Sequence, residues 1–192
     1  MKKENIMSKK VLVPVANGTE ELEAIAVIDT LRRAGAEVTV ASVQELEITG
    51  SCGTRIIADK LISECQTEEF DLIVLPGGLP GADHLRDSEI LTKKLKDQAA
   101  SERLYAAICA APVVVLQHHG LLKGKRATVN PALTDKMINK DHIYQRTVVD
   151  GNCITSQSRG TALEFSVKLI ELLYDKEKAK NIADDMLLKL EK

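Results

Sequence analysis

Cys109 stands at an abrupt junction, with the strand pattern Tyr105 to Ile108 before it and the apolar helical pattern Ala110 to His119 directly after it. Such an elbow lifts a side chain clear of the backbone, and the unpaired N–H groups of a helix start favour an anion there over a neutral thiol. A lowered thiol pKa and a nucleophilic role are the expectation. Ala106, Ala107, Ala110 and Ala111 add little bulk around the turn, and Pro112 in the first helical turn forfeits no hydrogen bond. The competing assignment for Cys109 is a small buried core residue, a common fate of free cysteine.

A carboxyl partner is offered by Glu20, Glu21 and Glu23 at the start of the helical pattern Glu20 to Ala34. Glu23 and Glu21 lie about 200° apart on a helical wheel, so one of the two must turn inward. Glu23 borders the apolar stripe made by Ala24, Val27 and Leu31, where desolvation would raise its pKa and keep it able to donate a hydrogen bond. Glu20 is an equally inward rival on the wheel, and all three acids could instead simply complement the helix N-terminus. Gly77 and Gly78 follow a third strand, Asp71 to Leu75, and lack the Cβ that would keep their N–H groups from a developing oxyanion; a plain turn is the alternative. His118 and His119 lie about 14 Å along the helix from Cys109, too far to act as its base. His84 and His142 fall in loop-like stretches.

These residues need a scaffold, and the order of elements supplies one. Lys10 to Ala16 reads as a buried strand, Asn17 to Thr19 as a turn, Glu20 to Ala34 as a helix ending at Gly35, and Glu37 to Val43 as a second strand. Glu45 to Lys60 reads as a hairpin or excursion. Ser88 to Ala100 is expected to be an exposed helix, Arg126 to Val129 a strand, and Thr147 to Val149 with Cys153 to Thr155 a hairpin pair. Ala162 to Tyr174 is a helix, and Glu177 to Leu190 a further one that docks through Ala179, Ile182, Ala183, Met186, Leu187 and Leu190. The alternation defines an open α/β sandwich, whose ligands bind beyond the carboxyl ends of its strands. Residues 1–9 read as an extension expected to be disordered, and residues 10–192 as a single domain.

Composition narrows the function classes. The 192 residues are 44% hydrophobic and 28% charged, with a net charge of -2, no basic block and 3% aromatics, so nucleic acid is an unfavourable primary partner. No apolar run approaches the roughly 20 residues of a membrane span, and no export signal is visible. The four cysteines, at positions 52, 65, 109 and 153, have neither zinc-finger nor disulfide-scaffold spacing. No metal site is therefore expected, and the cytoplasm is the expected compartment.

Gly18-Thr19-Glu20-Glu21-Leu22-Glu23, Leu75-Pro76-Gly77-Gly78 and Ala106-Ala107-Ile108-Cys109-Ala110-Ala111-Pro112 together resemble the ThiJ/PfpI superfamily in its DJ-one branch. Arg32 to Gly35, Val38 to Ala41 and Thr155 to Phe165 extend the likeness over nearly the whole chain. The resemblance implies a flavodoxin-like three-layer α/β/α sandwich with a mostly parallel sheet, forming a homodimer. It further implies Cys109 as an oxidation-sensitive nucleophile, Glu23 as its protonated partner, and the Gly78 and Ala110 N–H groups around the site. Cys52 is similar to the branch's cysteine at the dimer interface; an ordinary exposed thiol is the alternative. The sequence departs from the branch at Ser158-Arg159-Gly160-Thr161, where Gly-Pro-Gly-Thr is usual, and at Asn130, where a histidine is frequent. Arg159 is expected either near the pocket, holding a carboxylate product or lowering the Cys109 pKa, or on a solvated loop.

The activity implied is a cofactor-free, cysteine-dependent glyoxalase or deglycase acting on methylglyoxal, glyoxal or their adducts. The alternative is an oxidative-stress sensor and redox-regulated chaperone that works through a Cys109 sulfinate.

Overall fold

The structure is a computed structural model and describes residues 8–189. The first residues of the expected N-terminal extension, and Leu190, lie outside the described residues. Its elements are β1 (Lys10–Val15), α1 (Glu21–Arg33), β2 (Glu37–Ser42), β3 (Glu47–Thr49), β4 (Arg55–Ile57), β5 (Lys60–Leu61), β6 (Leu72–Leu75), α2 (Gly81–Asp87) and α3 (Glu89–Ala100). Then follow β7 (Leu104–Ile108), β8 (Thr147–Asp150), β9 (Cys153–Ser156), α4 (Ala162–Leu173) and α5 (Lys176–Asp185).

Seven strands form one sheet in the order β5-β2-β1-β6-β7-β9-β8, while β3 and β4 make a separate antiparallel hairpin. Every pairing in the large sheet is parallel except β8 with β9. With the short β5 and the edge strand β8 set aside, the order is that of a flavodoxin-like sheet, whose switch point falls between β1 and β6.

Parallel strands covered on both faces must be apolar on both, and β1 shows it. Val11, Val13 and Val15 enter one core with Val27 and Leu31 of α1 and Phe165 and Leu169 of α4, whereas Leu12 enters the other with Leu85, Leu91, Leu95 and Tyr105. Helices α1, α4 and α5 thus cover one face, and α2, α3 and the segment after β7 cover the other. No helix among the described residues is long and apolar enough to cross a membrane.

Three expectations about elements need correction. Arg126 to Val129 forms no strand, because the Thr128 N–H donates to the Thr155 hydroxyl at 2.9 Å instead of joining a backbone ladder. The helix expected as exposed over Ser88 to Ala100 is amphipathic, with Leu91, Lys94, Leu95 and Gln98 buried in α3. Helix α5 docks through Ala179, Ile182 and Ala183 as expected, but it ends at Asp185, and Leu187, at φ 55°, turns out to 90% exposure.

Candidate active site at the carboxyl ends of β1, β6 and β7

Cys109 follows the last residue of β7 and has φ 64°, a left-handed conformation uncommon for a residue with a side chain. Two backbone hydrogen bonds and the helix start beyond it hold it there. Its N–H donates to the Ser156 carbonyl at the end of β9 at 3.1 Å, its carbonyl accepts the Asn130 N–H at 2.9 Å, and a wide-turned helical segment, Pro112–Gln117, begins just beyond it. The Ala110 N–H lies at the start of this segment, where no intrahelical acceptor is available to it.

The three acids at the start of α1 take three different directions. Glu20 is the N-cap, its Oε2 accepting the Glu23 N–H at 2.8 Å. The Glu21 carboxylate accepts the N–H groups of Cys52 at 3.0 Å and Thr54 at 3.2 Å and the Ser51 hydroxyl at 3.1 Å, pinning the turn between β3 and β4 to the helix. Burial would raise the Glu21 pKa, but these donors outweigh it and bring it down to about 2. Glu23 alone faces Cys109. It is fully buried, Oε2 accepts the Gly77 N–H at 2.9 Å, Oε1 has no hydrogen-bond partner of good geometry, and the carboxyl sits within hydrogen-bonding reach of the thiol. Glu21 and Glu23 do lie on different faces and Glu23 turns inward, while the hairpin covers the side that Glu21 occupies and encloses it too.

The glycine loop allows this approach. A Cβ on Gly77 would stand 2.6 Å from the Cys109 Cβ and 2.9 Å from Glu23 Oε2, so no larger residue fits without moving the pair. Gly78, at φ +87°, packs against the α1 entry, and its N–H also donates toward Cys109. Asn130 completes the wall: its Nδ2 lies 3.4 Å from Cys109 Sγ and 3.3 Å from Ser158 Oγ, while its Oδ1 accepts the Ala132 N–H at 3.0 Å. Cys109, Glu23, Gly77, Gly78, Ala110 and Asn130 are thus brought together. Arg159 is exposed on the following turn, near enough for its charge to act on the Glu23 carboxyl. Cys52 is exposed in the hairpin turn, outside the pocket. The Ser158 hydroxyl is a group beside the site that sequence reasoning missed, because nothing in the loop's composition marks a serine as meeting the Asn130 amide that also reaches the thiol.

The electrostatics depart from the sequence expectation in one respect. Burial, helped by the Glu20 charge, lifts the Glu23 carboxyl to about 7 against the Gly77 hydrogen bond. The Cys109 thiol is not lowered: burial and the neighbouring Glu23 charge push it up to about 11, although the Asn130 and Gly78 donors favour the anion. Burial is the main cause of both rises; the Glu23 charge adds to the rise at Cys109, whereas the hydrogen bond with Cys109 lowers Glu23, and the two groups in contact ionise as a coupled pair. Such a pair can pass a proton from sulfur to carboxyl and back. A cavity of about 490 Å3 lined by Phe70, Lys94 and Arg103 lies elsewhere and does not include Cys109.

The profile of the DJ-1/PfpI family matches residues 9–172. The chain belongs to that family. It is similar to protein DJ-1 homolog B of Arabidopsis thaliana, with 47% identity over 180 residues, 93% of this chain and 41% of that protein. The chain therefore spans less than half the length of this relative. A Caenorhabditis elegans protein named glutathione-independent glyoxalase DJR-1.2 is 33% identical over 183 residues, covering 94% of this chain and 96% of that one. Among solved structures, oxidized Toxoplasma gondii DJ-1 superposes with a TM-score of 0.93 at 49% identity, over 95% of this chain and 100% of that one.

Proposed function

We propose that this DJ-1/PfpI chain is a cofactor-free glyoxalase that converts small α-oxoaldehydes such as methylglyoxal or glyoxal to hydroxy acids. The observation that carries the reading is the Cys109 elbow facing a buried Glu23 carboxyl whose pKa lies at about 7, suited to taking and returning a proton at neutral pH. The likeness to a relative named a glutathione-independent glyoxalase supports it.

The Cys109 sulfur attacks the aldehyde carbon while its proton passes by way of Glu23 to the aldehyde oxygen, giving a hemithioacetal and leaving Glu23 as a carboxylate. Glu23 then moves the proton from the former aldehyde carbon to the neighbouring carbonyl carbon through an enediol, which turns the hemithioacetal into a thioester of the hydroxy acid. The Gly78 and Ala110 N–H groups border the place where oxyanion charge develops; the Gly77 N–H, expected there from the sequence, is taken by Glu23. Water cleaves the thioester, releasing lactate from methylglyoxal and restoring the thiol. Deglycation of adducts would use the same attack. A reducing compartment such as the cytosol suits four free cysteines, one of them catalytic. A homodimer is proposed with it, supported by Leu22 and Ile25, 53% and 47% exposed and one turn apart on α1 beside the Cys52 hairpin.

The test is methylglyoxal consumption with lactate detection. The wild type should turn over, and Cys109→Ser and Glu23→Ala should each abolish it; activity surviving both substitutions ends the proposal. A second reading is favoured by the unpartnered Glu23 Oε1: when protonated, this carboxyl can donate a hydrogen bond to a Cys109 sulfinate formed by peroxide, the chemistry of an oxidation sensor. Selective addition of two oxygens at Cys109 under graded peroxide, read by mass spectrometry, tests it.

A further inference from the structure

Arg159 occupies a place in the fold where an unengaged cation has a consequence for substrate choice. It opens a short helical turn after β9, and the turn is fixed at its base: Thr161 N–H donates to the Ser158 carbonyl at 2.8 Å, Ser158 N–H donates to Thr161 Oγ1 at 3.1 Å, and Thr161 Oγ1 is 2.7 Å from the Ser156 hydroxyl. Ser158, the preceding residue, shares the Asn130 amide with the Cys109 sulfur. The guanidinium is thus carried on a braced turn at the pocket mouth.

The nearby acid of the next turn is taken: the Glu164 carboxylate is bound by Arg146, at 2.8 and 3.0 Å, and Arg146 also reaches the Gly160 carbonyl at 3.0 Å. Among the described residues Arg159 has no ion pair or side-chain hydrogen bond of its own, and its charge is felt at Glu23. A desolvated slot with one free guanidinium at its rim favours a ligand carrying a negative group away from its reacting carbon.

We infer that Arg159 is a specificity-determining residue that selects α-oxoaldehydes bearing a carboxylate at the end remote from the aldehyde. The inference rests on Cys109 as the attacking group, and adds the class of substrate to it. The reaction is the one given above, with the remote carboxylate unchanged throughout and paired with the guanidinium.

Two measurements separate this inference from the glyoxalase reading. The first needs no turnover: alkylation of Cys109 by iodoacetate, an anion, is compared with alkylation by neutral iodoacetamide, resolved at Cys109 by peptide mass spectrometry. The iodoacetate-to-iodoacetamide rate ratio should fall about fivefold in Arg159→Gln, as for loss of one partly exposed ion pair. It should fall further in Arg159→Glu, be largely kept in Arg159→Lys, and shrink in wild type at high salt. The second compares kcat/KM for 4,5-dioxovalerate with that for methylglyoxal, a ratio that should drop by a similar factor in Arg159→Gln. An alkylation ratio unchanged by Arg159→Gln and Arg159→Glu overturns the inference, whatever the turnover. A ratio that falls in a protein inert toward both aldehydes upholds anion selection at Cys109 and removes the glyoxalase reading alone.

Discussion

Glu21 and Glu23 are one residue type two positions apart, and their surroundings give them opposite proton affinities. Glu21 collects hydrogen-bond donors and is driven down to about 2, while Glu23 is buried with one backbone donor and is driven up to about 7. A raised carboxyl pKa means that the folded protein holds more protons than the unfolded chain between the two values. The Glu23 contribution to stability is therefore complete below about pH 4.5 and is lost as pH rises through about 7. Glu23→Gln should remove this dependence: the stability difference between wild type and variant, from urea denaturation at pH 4.5 and pH 8, should change by an amount on the order of 3 kcal/mol against the wild type at the higher pH. Gly77→Ala tests the closeness of the pair. Its added Cβ would lie 2.6 Å from the Cys109 Cβ, so it should cost about 1–3 kcal/mol of stability in denaturant titration and most of the methylglyoxal turnover.

At the scale of elements, the site depends on a hairpin that is not part of the large sheet. The β3–β4 turn is held to α1 through the Glu21 carboxylate, which accepts from Ser51, Cys52 and Thr54. Glu21→Ala should cost about 1 kcal/mol and speed hydrogen exchange at the Cys52 and Thr54 amides, because it leaves part-buried donors without their acceptor. The Glu21 contribution has the opposite pH sense to that of Glu23: it is present above about pH 4.5 and disappears as pH falls toward 2. None of this pinning was legible in the sequence, since it depends on where a distant hairpin lands. The main strands and helices were legible, because β1, β6 and β7 are covered on both faces and read as short apolar runs bounded by turn residues. Arg126 to Val129 has the same look and forms no strand, since a threonine side chain replaces the ladder that a pattern cannot supply. The Cys109 elbow was visible as a junction without a spacer; the rise of its pKa was not, because the helix start is legible and the depth of burial is not.

At the scale of the whole molecule, the sheet order places the ends of β1, β6 and β7 side by side, so that residues 23, 77 and 109 meet although long stretches of chain separate them. The proposed dimer would cover the exposed apolar pair on α1, beside the hairpin. Sedimentation should give the mass of two chains for wild type, and Ile25→Glu, which sets a charge in that face, should shift the population toward monomer; a wild-type monomer at micromolar concentration would contradict it. The proposed chemistry turns on one coupled proton between the Cys109 sulfur and the Glu23 carboxyl, and the pH profile of Cys109 alkylation by iodoacetamide, in wild type and in Glu23→Gln, examines that proton most directly. The wild-type rate should rise through an inflection near pH 7, set by Glu23, and that inflection should be missing from the variant. Identical profiles in the two proteins, both rising only above about pH 9, would show that Glu23 takes no part in activating the thiol.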